Sequence, residues 1–134
     1  MTAENVKNYL IAVLSKGVSV IVNAIDSNAQ QCIGVFDSRT PEKRRRCIGD
    51  KKNTKYQSRS FSILVHWTDS PVTGEAKAKE IMALFDHKSD LVVDGVKVFS
   101  AEAEYPRWAG RAQNRVCEYV VPVKFNYQEV NNNA

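Results

Sequence analysis

Over residues 115–127 side chains alternate without a break. Arg115, Cys117, Tyr119, Val121, Val123, Phe125 and Tyr127 fall on one side, and Val116, Glu118, Val120, Pro122, Lys124 and Asn126 on the other. A repeat of two sustained this long is the signature of a β-strand. Pro122 has no N–H to give to a ladder, which predicts an edge position or a bulge. A second alternation, Phe61, Ile63, Val65 and Trp67 against Ser62, Leu64 and His66, predicts another strand with one strongly apolar face.

The remaining pattern places two helices and further strands around these. Thr2 can cap a helix whose Val6, Tyr9, Leu10, Val13 and Leu14 share a face, with Lys16 suited to its last turn and Gly17 to its C-terminal cap. Residues 18–22 are a β-branched run. Asp26, Ser27 and Asn28 form a turn cluster, and residues 32–36 predict a strand hairpin-paired with the first. After Asp69, Ser70 as cap and Pro71 at the first helical position open a helix carrying Ala78, Ile81, Met82 and Phe85. Asp94-Gly95 between residues 91–93 and 96–104 is a strong hairpin signal. Residues 105–111 read as a loop, and residues 128–134 as a frayed tail. The expected fold class is α+β: a mostly antiparallel sheet of about five or six strands, two helices packed on one face, and a long basic loop inserted. The uncovered face, where Leu64, Val116 and Val120 point, is then a candidate interface.

A chain of 134 residues with 43% hydrophobic and 25% charged content fits a single domain, 1–134, with a core of its own. No apolar run approaches the ~20 residues needed to cross a bilayer, so no membrane association is expected. Cys32, Cys47 and Cys117 are too few and too widely spaced for a disulfide framework and read as free thiols in a reducing compartment.

Catalytic chemistry finds little support. No glycine-rich phosphate loop and no zinc-ligand spacing occurs. His66 reads as a sheet-face residue and His87 as a helix-end cation. Cys47 follows three arginines that favour a thiolate, but it has no adjacent base. Glu102 and Glu104 share a strand face and read as a charged edge, solvated or between subunits. No enzyme activity, metal or cofactor is expected.

The charge is lopsided. Residues 37–59, DSRTPEKRRRCIGDKKNTKYQSR, hold nine basic residues against three acidic ones, a net of +6, whereas the whole chain is +4. The remainder is therefore −2. Arg39, Lys43, Arg44, Arg45, Arg46, Lys51, Lys52, Lys55 and Arg59 supply the positive charge. Three readings stay open: a solvated loop, a contact with nucleic-acid backbone, or a contact with an acidic protein surface. Tyr56 is the single aromatic in the stretch, so any DNA contact is expected to be sequence-blind.

Residues 60–88, SFSILVHWTDSPVTGEAKAKEIMALFDHK, resemble the strand–turn–helix of tail terminator proteins of long-tailed bacteriophages, a family often labelled phage minor capsid proteins. The helix carries Glu75, Ala76, Lys79, Glu80, Ile81 and Leu84. The hairpin, Tyr105-Pro106, the long last strand, and the N-terminal helix leading to Phe36-Asp37 are similar too. Relatives often have a glycine pair after that point, where this chain has Ser38-Arg39 and its basic insertion. The resemblance implies a structural protein of the virion tail, assembled in the host cytoplasm. It implies a hexameric ring of copies on the head-proximal end of the tail tube, ending tube growth and offering a surface to head–tail connector proteins. On that footing the tail tube protein, the connectors and the passing genome DNA are the expected partners, with Leu64, Val116, Val120, Glu102 and Glu104 as candidate interface residues. A stopper, another connector protein, and a sequence-nonspecific nucleic-acid-binding module are the alternatives.

Overall fold

The computed structural model describes residues 1–14, 18–25, 31–38 and 56–128. The chain runs α1 (Ala3–Val13), β1 (Ser19–Val22), β2 (Cys32–Asp37), β3 (Tyr56–His66), α2 (Pro71–Phe85), β4 (Lys88–Val93), β5 (Val96–Ala103), β6 (Arg107–Arg111) and β7 (Cys117–Gln128). The strands form one sheet in the order β1-β2-β3-β7-β5-β4, with β6 paired to β7 beside β5. It is the expected α+β fold, with seven strands.

Both helices lie on one sheet face because their apolar stripes match the inward sets of the strands. Val6 and Leu10 of α1, and Ala78, Ile81 and Phe85 of α2, are fully buried against Ile33, Val35, Phe61, Ile63, Val65, Val121 and Phe125. Phe85 stands edge-on to Phe125 at 5.4 Å, and Tyr9 of α1 packs on Phe85 at 5.7 Å. Thr2 caps α1 in a reciprocal pair with Asn5. α1 ends at Val13 with Leu14 as its cap; the expected capping residues, Lys16 and Gly17, lie outside the described residues. Ser70 is the N-terminal cap of α2 through its backbone, with Pro71 at the first position and no bond from the serine hydroxyl. Asp94 and Gly95 turn the β4–β5 hairpin at φ 48° and 81°, the positive values that such a two-residue turn requires.

Three expectations are corrected. β1 and β2 pair in parallel, Ser19 with Cys32 through Val22 with Val35, and not as a hairpin. After β1 the chain turns at Asn23, whose N–H bonds to Val35, and Ala24 and Ile25 pass over Gly34. Residues 105–111 are not all loop. β6 pairs Trp108 with Tyr119 and Arg111 with Cys117, and Gly110 at φ 113° takes up the register shift between. Pro122 is on neither an edge nor a bulge. β7 is central, and Pro122 sits where its flanking strand changes from β6 to β5. Its carbonyl accepts from Glu104 N–H at 2.9 Å. In a strand a residue's N–H points the same way as its C=O, so the missing donor faces this junction, where β5 has just ended, and at most the one return bond to Glu104 is forgone.

Candidate functional site

The outer sheet face, opposite the helices, is built from β3, β7 and β5. Leu64 on β3 and Val120 on β7 are in direct register and half-buried. Toward the other end the face turns polar. Glu102 stands opposite Lys124, and Ser58, Asn126 and Ser100 form a hydrogen-bonded row across three strands. A groove of about 770 Å³ lies at this end, and Ser60, Ser62, Pro122, Lys124, Glu102, Glu104 and Arg107 are among the residues that line it. Glu104 and Arg107 are exposed and ion-paired at 2.5 Å.

Of the five residues expected on an interface, Leu64, Val120, Glu102 and Glu104 therefore lie on or beside this face. Val116 does not offer a surface: it is 1% exposed, buried within the subunit. His66 is also fully buried, its Nδ1 3.0 Å from Glu118 Oε2, one cross-strand step away. His87 follows α2 in an exposed turn at φ 55°, 3.6 Å from Asp86.

Arg39, Lys43, Arg44, Arg45, Arg46, Lys51, Lys52 and Lys55, together with Cys47, lie outside the described residues. Arg59 alone of the basic set is described, and its bonds are internal. It donates to Asp37 Oδ1 at 2.7 Å and to Met1 O at 2.6 Å, and lies 5.2 Å from the Phe61 ring centre. It clamps the ends of β2 and β3 to the start of α1.

Two features were missed in the sequence. The first is an exposed aromatic edge. Trp108 is 52% exposed and stacks edge-on to Tyr119 at 5.4 Å, and Tyr105 is 59% exposed with the Lys79 ammonium 5.2 Å from its ring centre. The bond to the Tyr105 hydroxyl raises the Lys79 pKa above its usual value. The Tyr-Pro-Arg-Trp run was there to be read, but its loop appearance hid that β6 orders it. The second is a clasp: the Asn5 and Asn8 amides donate to Asp94 Oδ2 at 3.1 and 2.9 Å, tying α1 to the hairpin turn and lowering the Asp94 pKa.

Among the described residues no three His, Cys, Asp or Glu side chains are grouped to hold a metal ion, and no helix is long and apolar enough to cross a membrane.

A family model described as bacteriophage tail terminator protein matches residues 6–129. No curated protein matches the chain. One solved structure aligns over 100% of this chain and 99% of its own at 14% identity, with a TM-score of 0.47.

Proposed function

The chain belongs to the bacteriophage tail terminator family, and from that premise we propose that it forms a ring that caps the head-proximal end of the tail tube, stops tube growth and presents the surface to which the head is joined. The observation that carries this reading beyond membership is the one-sided sheet. Both helices cover one face, while Leu64 and Val120, in register on neighbouring central strands, are left half-buried on the other. Apolar pairs on a face that no described helix covers are suited to contact with another protein chain. The basic residues of 39–55 then meet the tube, a neighbouring subunit or the DNA backbone in the channel, contacts that need charge without base recognition.

The test is a phage lacking this protein, complemented in trans. Without it, tails of uncontrolled length with unjoined heads are expected, and normal tails joined to heads sink the proposal. Salt-dependent duplex binding by an isolated monomer, with assembly unaffected, would instead favour the nucleic-acid module. Negative-stain imaging of the virion separates a terminator, seated on the tube end, from a stopper on the head side.

A further inference from the structure

The two lateral ends of the helix layer complement each other. Tyr9 packs on Phe85 of α2, so that flank of α1 faces inward. Ile11 lies two residues on, about 200° around the helix, and therefore points away from α2. Glu4 and Lys7, seven and four residues before Ile11, share this outer flank. All three are accessible: Ile11 is 52% exposed, and the Glu4 and Lys7 side chains are 58% and 30% exposed.

At the other end, Lys79 of α2 reaches Tyr105, so its flank faces outward over β6. Val72 and Glu75, seven and four residues before Lys79, share that flank. Val72 is 76% exposed. Beside it Trp108, the helix-side residue of β6, is half-exposed because among the described residues no helix lies over β6. β6 is thus a shelf of sheet lacking the helix that covers the rest.

The directions fit as well. Glu4 lies toward the hairpin end of the sheet, where Asn5 and Asn8 reach Asp94, and Ile11 toward the opposite end, where β1 begins at Ser19 opposite Cys32 and His66. α2 starts at that same end, with Tyr119 OH bonded to Pro71 O, and finishes where Asp86 Oδ1 accepts from Ala103. α1 and α2 are therefore antiparallel, and a copy placed alongside in the same orientation sets its α1 antiparallel to α2.

We propose that successive copies join head to tail along the helix layer, α1 of one copy seated on the β6 shelf beside α2 of the next. The reversed order matches the residues in three steps: Ile11 meets Val72 and Trp108, Lys7 meets Glu75, and Glu4 meets Lys79. Each charge now paired within its own helix, Glu4 with Lys7 at 3.4 Å and Glu75 with Lys79 at 3.6 Å, gains an opposite partner across the contact. The occupant is a second copy because this chain carries both halves, the apolar one and the charged one, at opposite ends of one layer. Such a contact is heterologous and closes into a ring when its rotation divides the circle. It rests on the ring reading above, and leaves the outer sheet face free for the tube or the head.

The test uses full-length protein, alone and with assembled tail tubes, with ring formation read by native mass measurement and negative-stain imaging. Glu4→Lys and Lys79→Glu should each weaken self-association about tenfold or more, since each sets like charges together. The double variant should recover most of the loss. Circular dichroism checks that each variant is folded. With Cys47→Ser as background, Ile11→Cys with Val72→Cys should give disulfide-linked chains longer than dimers under oxidation, whereas either single cysteine stops at dimers. Wild-type-like rings from both charge variants, or no ladder from the cysteine pair in intact rings, would overturn this contact. Rings lost with Leu64→Glu but indifferent to Lys79→Glu would move the contact to the sheet face and leave the ring reading standing. A wild type that forms no ring even on tubes removes both.

Discussion

Gly34 shows how one residue decides a local path. A Cβ there would lie 2.8 Å from Ala24 O, 2.7 Å from a Phe36 ring carbon and 2.9 Å from Ile25 Cγ1. A backbone oxygen cannot swing aside as a side-chain tip can, so Gly34→Ala is expected to destabilise the fold by about 1–3 kcal/mol, as overpacking does. Urea unfolding measures it, and an unchanged midpoint would mean that residues 24 and 25 do not pass over the strand. Asp94 gives a residue-scale pH dependence. Its pKa is lowered from 3.8 by bonds from Asn8 and Asn5. A depressed carboxyl pKa contributes stability that is present above the unfolded value and lost as pH falls through the folded one. Asp94→Asn tolerates the same positive φ, so its deficit against wild type should be visible at neutral pH and close as pH drops below about 3.8. A deficit constant with pH would place the effect elsewhere. Arg59 marks the limit of residue counting. In the sequence it is one of nine like charges; in the fold it is held by Asp37 and Met1 O. Composition reports a charge and is silent on its bonds.

At the scale of elements, what was legible was local. α2, the Asp94-Gly95 hairpin and the alternations of β3 and β7 announce themselves within a few residues, by period and by turn chemistry. What was hidden depends on distant partners. β1 and β2 look the same in sequence whether paired parallel or antiparallel. β6 is too short to show a period, and it contains Gly110. Pro122 seemed to bar a central strand, but only the position of β5 and β6 along β7 shows that its missing donor faces a junction. The outer face was legible through Leu64 and Val120, whereas Val116, in phase with them, is buried. The α2–β7 contact offers an element-scale prediction. Tyr119 OH donates to Pro71 O at 3.2 Å, and the glycine at position 74 lets the ring sit against the helix, where a Cβ would be 3.2 Å from Tyr119 Cε2. Tyr119→Phe should cost about 1 kcal/mol, the worth of one buried hydrogen bond. Burial raises the Tyr119 pKa above 10.0. A raised value makes its contribution complete below the unfolded pKa and lost as pH climbs through the folded one, so Tyr119→Phe should also flatten the alkaline loss of stability above pH 10. Thermal unfolding at pH 7 and pH 10.5 tests both parts, and parallel losses at the two values contradict the second.

For the whole molecule, the question is which surfaces are finished within one subunit and which wait for another. The helix face is finished at its centre, where Phe61, Ile63, Val65, Val121 and Phe125 are at most 1% exposed, and open at β6, where Trp108 is 52% exposed. The outer face is unfinished, and its two regions differ in kind. Glu102, and the Glu104–Arg107 pair, are exposed charges that water already satisfies, and such an exposed pair is worth about 0–1 kcal/mol. Leu64 opposite Val120 is apolar surface that water does not satisfy. This contrast makes a prediction about assembly separable from one about folding. A charge placed on a half-buried, solvent-facing strand position remains hydrated in the free subunit, so Leu64→Asp and Val120→Asp should fold, with modest losses of roughly 1–2 kcal/mol. Once another protein covers that face the same charge is buried without a partner, and its penalty rises to several kcal/mol, enough to abolish the contact. Phages complemented with either variant should therefore carry folded, unincorporated protein together with overlong or headless tails. Glu102→Gln should leave tail length near normal, because neutralising a solvated charge removes little. Tail-length distributions from electron micrographs decide the matter. Normal, head-joined tails from both aspartate variants would show that the bare face stays in solvent after assembly, and would leave the helix-layer ends as the surfaces through which the subunit meets its neighbours.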